Sequence, residues 1–522
     1  MKSAKPSANW VFDAATAMGV GTVVFSPGSR NAPLIIAATG RDDIKVRTVL
    51  DERSAGFQAL GESLLTGKPV ALCCTSGSAV ANYYPAVLEA YYSKVPLVII
   101  SADRPSNRVN KGEGQTCVQP GIFEPHVGWS VHLNEDMPKE LVTSELEKAA
   151  KILALKKEPV HINIAFDEPL YVQIAEADPL ELNLNYDTEL SELAIPPVLE
   201  KIFNHAGKVA LMVGQLTPQQ AQALGPVLSS LKVPYFADPT SNLRFAQGAM
   251  PMEAVCAYKP QAVLSIGGQW VDKRPKQYLR EISLDLHVHV DPNQAWEVLD
   301  LPIIRWNIPP QGFELLKERV NGFCGESERW LKSRVDLPWS DARAFELVVA
   351  SIDKGDVVHL GNSSTVRYAN WFPIKGDIYC NRGVAGIDGS FSTAVGAALS
   401  TPERHHWLII GDQSLQYDSN ALVIQARPNN LTVVVLNNAR GGIFDWLPGT
   451  AQTNADAKNV FNNPLIANFK ALSEAWGIGY SLAGNEKELQ KCLEVRNSGL
   501  TLIDVQTSVG LNLSAFETLK GN

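Results

Sequence analysis

Trp407-Leu408-Ile409-Ile410-Gly411-Asp412-Gln413-Ser414, followed by the apolar run Leu431 to Leu436 and then Asn437-Asn438, is the stretch that decides the fold. Four apolar residues running straight into Gly-Asp and a helical pattern read as a strand buried on both faces. Gly411 permits the tight turn and a close backbone approach. The second run, one helix later, ends at Asn437-Asn438, so Asp412 and Asn438 fall at the same edge of neighbouring parallel strands. Helix-start amides suit an anion, and a carboxylate with an amide oxygen suits Mg²⁺, which takes oxygen ligands plus phosphate oxygens. Either half alone is an ordinary turn or helix cap. The combination strand, Gly-Asp, helix, strand, Asn-Asn is far more specific.

The same alternation extends outward. Thr22 to Phe25, Val46 to Leu50, Ala71 to Cys74 and Pro96 to Ser101 read as strands, with amphipathic stretches at Ser54 to Leu65 and Ala79 to Tyr92. Val209 to Val213, Ala262 to Ile266 and Leu286 to Val290 form a second set. Val357 to Leu360, Trp407 to Ile410, Leu431 to Leu436 and Leu500 to Val505 form a third. Strands alternating with helices imply α/β architecture with parallel sheets. The expected organisation is three doubly wound parallel-sheet domains, 1–170, 196–335 and 342–522, with an acidic, proline-punctuated linker at 171–195. In such sheets ligands bind at the carboxyl ends of the strands.

At 522 residues the chain is too long for one core. A formal net charge of -9 argues against nucleic acid as a partner, though not against anionic small molecules bound by local arginines. Seven cysteines without a CxxC pair, and no apolar leader after Met1-Lys2-Ser3, point to a reduced, cytoplasmic protein. No apolar stretch approaches the roughly 20 residues needed to span a bilayer. His287 and His289 share one strand face, but with only Asp291 nearby they make a poor metal site. There is no P-loop lysine motif and no Gly-x-Ser-x-Gly elbow.

The Gly411-to-Asn438 pattern resembles the thiamine-diphosphate signature of the decarboxylase and acetolactate-synthase superfamily, with Gln413 where glycine is usual and Arg440 where glycine is common. That cofactor needs a carboxylate at its aminopyrimidine N1′, which favours the tautomer whose imine deprotonates the reactive thiazolium carbon. Glu52, between a strand end and a helix start in the first domain, is the candidate. Its plain alternative is a helix N-terminal acid.

Further segments narrow the resemblance. They are Phe25-Ser26-Pro27-Gly28-Ser29-Arg30, Asp51-Glu52-Arg53, Thr75 to Asn82, Ala102-Asp103-Arg104-Pro105, Gly114-Gln115 with Gln119-Pro120-Gly121, Asn381-Arg382-Gly383 with Gly386-Ile387-Asp388-Gly389, and Gly441-Gly442-Ile443-Phe444. Together they resemble the 2-succinyl-5-enolpyruvyl-6-hydroxy-3-cyclohexene-1-carboxylate synthases of menaquinone biosynthesis, less closely in the middle third, where Lys273-Arg274 is an anchor. The resemblance implies a transferase dependent on thiamine diphosphate and Mg²⁺ (or Mn²⁺), acting on 2-oxoglutarate and isochorismate as a homodimer or homotetramer. It implies metal ligands Asp412, Asn438 and Arg440, the last through its carbonyl, and a catalytic Glu52. Cofactor contacts would come from Pro27, Glu52, Asn82, Gly386, Ile387, Asp388, Gly411, Gln413, Ser414, Ile443 and Phe444. Substrate contacts would come from Ser29, Arg30, Arg104, Gln115, Lys273, Arg274, Ser363, Arg367, Arg382, Phe444 and Leu447. Both substrates carry two carboxylates, which arginine forks bind bidentately.

Overall fold

The computed structural model describes residues 1–184, 208–230, 235–246, 248–290, 335–425, 427–464, 467–494 and 499–521. The end of the expected linker and much of the second half of the expected central domain, Asp291 included, lie outside them.

The first sheet holds β1 (Thr22–Ser26), β2 (Lys45–Thr48), β3 (Val70–Cys74), β4 (Leu97–Asp103), β5 (Trp129–Leu133) and β6 (Val160–Ala165), in the order β2-β1-β3-β4-β6-β5. All its pairings are parallel. Alternate residues enter different cores. Val23, Phe25 and Cys73 pack in one cluster, and Val24, Leu72 and Cys74 in another. Burial on both faces is why these strands read as unbroken apolar runs.

The second sheet holds β7 (Val209–Val213), β8 (Tyr235–Ala237), β9 (Ala249–Pro251), β10 (Ala262–Ile266) and β11 (Leu286–Val290), in the order β9-β8-β7-β10-β11. The third holds β12 (Val357–Leu360), β13 (Asp377–Tyr379), β14 (His406–Gly411), β15 (Leu431–Asn437), β16 (Gly479–Ala483) and β17 (Thr501–Gln506), in the order β13-β12-β14-β15-β17-β16. Counted within each sheet, the first and third share one strand order. Loops in the two sheets are therefore topological equivalents: the one after β2 matches the one after β13, and the one after β3 matches the one after β14.

The helices that matter below are α1 (Glu52–Thr66), α2 (Ser78–Asn82), α3 (Tyr84–Ser93), α4 (Lys273–Glu281), α5 (Asp341–Ala350), α6 (Ser364–Tyr368), α7 (Ser390–Ser400) and α8 (Asp412–Tyr417). The single amphipathic stretch expected from Ala79 to Tyr92 is two helices, α2 and α3. Pro85, in the first turn of α3, has no N–H to continue the preceding helix.

The chain resolves into two compact units, Met1–Thr188 with Gly383–Arg404 and Leu415–Leu431, and Glu189–Arg382 with His405–Ser414 and Thr432–Asn522. Within the first unit α1 and α7, which follow equivalent strands, pack backbone to backbone. A Cβ on Gly61 would stand 1.9 Å from the carbonyl oxygen of Thr393, and one on Gly396 would stand 1.9 Å from that of Gln58. This contact holds residues 383–404 against the first sheet's helices. Among the described residues no helix is long and apolar enough to cross a membrane.

Candidate cofactor and substrate site

The second unit carries the expected metal residues. β14 ends at Gly411, and a Cβ there would meet nothing within 4 Å, so the strand end is open. Asp412 begins α8 and is buried. Its Oδ1 accepts the Gln413 N–H at 2.7 Å, while its Oδ2 has no hydrogen-bond partner. Burial, with the nearby charge of Asp341 adding to it, pushes this carboxyl up to about 7. Asn438 follows β15. Its Nδ2 donates to Asp341 Oδ2 at 2.8 Å, and its Oδ1 accepts the Arg440 N–H at 3.2 Å. Asp341 is itself buried and also accepts from the Thr507 hydroxyl. It therefore fixes which end of the Asn438 amide is the oxygen. Ala439 sits at φ 58, turning the chain sharply between Asn438 and Arg440. The Arg440 side chain pairs with Asp445 at 2.8 Å, and its carbonyl accepts the Gly442 N–H at 2.9 Å, with a second lone pair still available at this turn.

One buried carboxylate oxygen without a partner, one oriented amide oxygen and a turn carbonyl fit a Mg²⁺ completed by phosphate oxygens. Among the described residues no group of three or more His, Cys, Asp or Glu is arranged for a metal. Ser265 accounts for the histidine pair on β11: its hydroxyl lies 2.9 Å from His287 Nε2 and 2.8 Å from His289 Nδ1. Gln413 is also explained. Its Nε2 donates to the carbonyls of Asn462 and Asn463 at 3.0 and 2.8 Å, tying the strand-end turn to a neighbouring segment. Gly442–Asp445 is a short 3-10 turn with no buried residue. Phe444 stacks obliquely on Phe461, and Leu447 is exposed. Ser414 is buried.

In the first unit Glu52 opens α1, capped by Asp51, whose carboxylate accepts the N–H groups of Arg53 and Ser54. Glu52 borders a cavity of about 500 Å³ lined by Leu50, Asp51, Arg53, Asn82, Asn420 and Val423. The Asn82 amide donates to Glu52 at 3.2 Å. Its other neighbours are engaged elsewhere. Asp51 accepts from Asn420 at 2.7 Å, and Arg53 donates to the Tyr417 carbonyl at 2.9 Å. Ile387 is exposed at the crest of the loop before α7. Gly386 and Asp388 are partly buried there.

The arginines gather in two groups, one per unit. Arg30 is buried, donates to the Phe166 carbonyl at 2.9 Å and is held below its ordinary basicity first by burial and then by Arg104 nearby. Arg104 pairs with Glu113 at 3.2 Å. Pro27 and Ser29 are exposed beside them. Gln115, at φ 57, accepts through its carbonyl from the Ser76 hydroxyl at 2.9 Å. In the second unit Arg367 is lowered by burial and by Arg382, and it donates to the carbonyl of Ser363, itself at φ 72. Arg382 is buried and donates to Asn362 at 2.9 Å. Lys273 and Arg274 are exposed on the first turn of α4. Lys276 is the α4 cation lowered by burial and in the field of both Asp238 and Arg382.

Sequence reasoning missed Asp341, Lys276 and the supporting role of Gln119. Gln119 is fully buried. It accepts the Gly77 N–H at 2.8 Å and donates to the Ala102 carbonyl and to Asn163. A polar residue inside a Gly-Pro-rich segment was the only available signal for it.

The sequence matches two families, the N-terminal thiamine pyrophosphate-binding domain of thiamine pyrophosphate enzymes over residues 7–122, and the C-terminal one over residues 360–505. Similar curated proteins include the 2-succinyl-5-enolpyruvyl-6-hydroxy-3-cyclohexene-1-carboxylate synthases of Flavobacterium psychrophilum, 34% identical over 99% of this chain and 97% of that protein, and of Christiangramia forsetii, 35% identical over 95% and 94%. That of Bacteroides fragilis is 35% identical over 92% of this chain and 91% of its own. Taken with the oriented Asp412 and Asn438, these likenesses establish that the chain belongs to the 2-succinyl-5-enolpyruvyl-6-hydroxy-3-cyclohexene-1-carboxylate synthase family of thiamine-diphosphate enzymes.

Proposed function

We propose that this protein decarboxylates 2-oxoglutarate and adds the remaining four-carbon unit to the ring of isochorismate by conjugate addition, giving 2-succinyl-5-enolpyruvyl-6-hydroxy-3-cyclohexene-1-carboxylate for menaquinone biosynthesis. The observation that carries the reading is the buried, unpartnered Oδ2 of Asp412 beside the Asn438 amide that Asp341 orients. Thiamine diphosphate, when bound, would supply the nucleophilic carbon and take up the electron pair that departing CO₂ leaves behind. Asp412, Asn438 and the Arg440 carbonyl would hold Mg²⁺ or Mn²⁺, and Gly411, Gln413 and Ser414 would contact the diphosphate. Glu52 holds the proton at N1′. Pro27, Asn82, Gly386, Ile387, Asp388, Ile443 and Phe444 contact the rings. Arg30 with Arg104, and Arg367 with Arg382, take the substrate carboxylates, joined by Ser29, Gln115, Ser363, Lys273 and Arg274. Phe444 and Leu447 keep water from the new bond.

The same reading assigns 1–170 and 342–522 to the aminopyrimidine and diphosphate ends of the cofactor, with 196–335 between them. It makes the enzyme a homodimer, or a tetramer of two such dimers, with each cofactor shared between copies. It also places the enzyme in the cytoplasm, in keeping with the six described cysteines, none of which forms a disulfide among the described residues.

The decisive assay supplies thiamine diphosphate and Mg²⁺ with isochorismate and, in separate runs, 2-oxoglutarate or pyruvate. Isochorismate should be consumed only with 2-oxoglutarate. Faster CO₂ release from pyruvate would assign the protein to another 2-oxoacid reaction of the superfamily.

A further inference from the structure

Glu89, on α3, is only 2% exposed. Both of its carboxylate oxygens hold backbone from a distant part of the chain. Oε1 accepts the Gly383 N–H at 2.7 Å, and Oε2 accepts the Val384 N–H at 2.9 Å. The Ser93 hydroxyl, one turn along α3, donates to Oε1 at 2.8 Å. The fit is steric as well as polar. A Cβ on Gly383 would lie 2.7 Å from the Glu89 carbonyl oxygen and 2.8 Å from Ser93 Oγ. Beyond this clamp the loop emerges. Val384 and Ile387 are exposed, Ala385 sits at φ 57, and Gly389 at φ 68 leads into α7. The loop thus has a buried, anchored base and a sharply turned, exposed crest.

We propose that Glu89 is a positioning residue that sets the height and tilt of the loop 383–388, and so presents Ile387 to the cofactor. This rests on the cofactor reading of Gly386, Ile387 and Asp388. One carboxylate taking two successive amides fixes the plane of the peptide between them as well as its position. A glutamine of the same length has one acceptor oxygen and an NH₂ group. It satisfies one amide and sets a donor against the other. A buried N–H without an acceptor drives the loop base to shift.

The test uses the full-length enzyme with thiamine diphosphate, Mg²⁺ and both substrates. Glu89→Gln should raise the half-saturating thiamine diphosphate concentration about tenfold, the equivalent of one buried charge-assisted hydrogen bond, and lower kcat. Glu89→Asp, which keeps two acceptor oxygens, should recover part of both losses. Gly383→Ala keeps the Glu89 side chain but wedges the clamp open, and should weaken cofactor binding in the same direction. Thermal unfolding of each variant without cofactor separates positioning from simple destabilisation. Wild-type cofactor saturation and kcat in folded Glu89→Gln and Gly383→Ala would overturn the proposal. So would losses that scale only with unfolded fraction. Ile387→Ala separates the two levels. If it impairs cofactor saturation while Glu89→Gln does not, only the role of Glu89 fails. If Ile387→Ala is harmless, the cofactor reading of the loop fails with it.

Discussion

Glu52 and Asp412 are both strand-end acids, yet their surroundings suit opposite tasks. Burial raises the Asp412 pKa first, and the charge of Asp341 adds to the rise against the lowering pull of backbone amides, so a divalent cation is the natural offset to its charge. Glu52 borders an open cavity with a single amide contact, ready to share a proton with a ligand nitrogen. Glu52→Gln should therefore leave thiamine diphosphate and Mg²⁺ binding within about twofold of wild type and cut kcat by roughly 100-fold or more. Fluorescence titration and steady-state rates check both halves, and near-normal turnover would remove Glu52 from the chemistry. Asp341→Leu, which lets the Asn438 amide rotate, should raise the half-saturating Mg²⁺ concentration about 10- to 100-fold. An unchanged Mg²⁺ dependence would mean that Asn438 needs no orienting partner. Asp412 and Asn438 were candidates from the sequence because each follows an apolar strand, and Glu52 because it stands between a strand end and a helix start. Asp341 could not. It acts from the start of α5, far from Asn438 in the chain, and no local spacing links the two.

Most of the strands legible in the sequence are buried on both faces, with the partly exposed edge strand β2 as the exception. β7, β10, β11 and β12 lie where their apolar runs begin and end. β5 and β16 escaped notice because each is only partly buried, as befits a sheet edge, and β13 because it spans three residues. β6 was missed as well. It is wholly buried, and His161 and Asn163 alternate with its apolar residues much as His287 and His289 do in β11; Ser101, Gln119 and Asp103 meet polar atoms of both from inside. The α1–α7 contact was invisible too, since glycines within helices read locally as weak points rather than as contact surfaces. Gly61→Ala tests it. With its new Cβ set against the Thr393 carbonyl, it should cost about 2 kcal/mol or more in urea unfolding. Gly21→Ala, where a Cβ meets nothing within 4 Å, is the control. Equal stability in the two variants would show that the helices pack with room to spare.

At the scale of the molecule, the first and third sheets have one strand order, and each carries one end of the proposed cofactor site at a strand end, Glu52 after β2 in the first and Asp412 after β14 in the third. The rim of the Glu52 cavity carries two exposed apolar side chains among its polar ones: Leu50 is 67% exposed and Val423 45%. Apolar side chains beside an ionisable group are what a subunit interface covers. If each cofactor is shared between copies, Glu52 of one copy serves the Asp412 of another. Glu52→Gln and Asp412→Ala would then each be inactive alone. Mixed by unfolding and refolding together in equal amounts, half of the dimers combine the two chains. In those dimers one site carries both substitutions and the other carries neither, so about a quarter of wild-type activity should return. Recovery should vanish when the chains are mixed without exchange. If both residues instead served one site within a single copy, every site would keep one lesion and the refolded mixture would stay inactive. That outcome would end the shared-site reading while leaving the assignments of Glu52 and Asp412 intact.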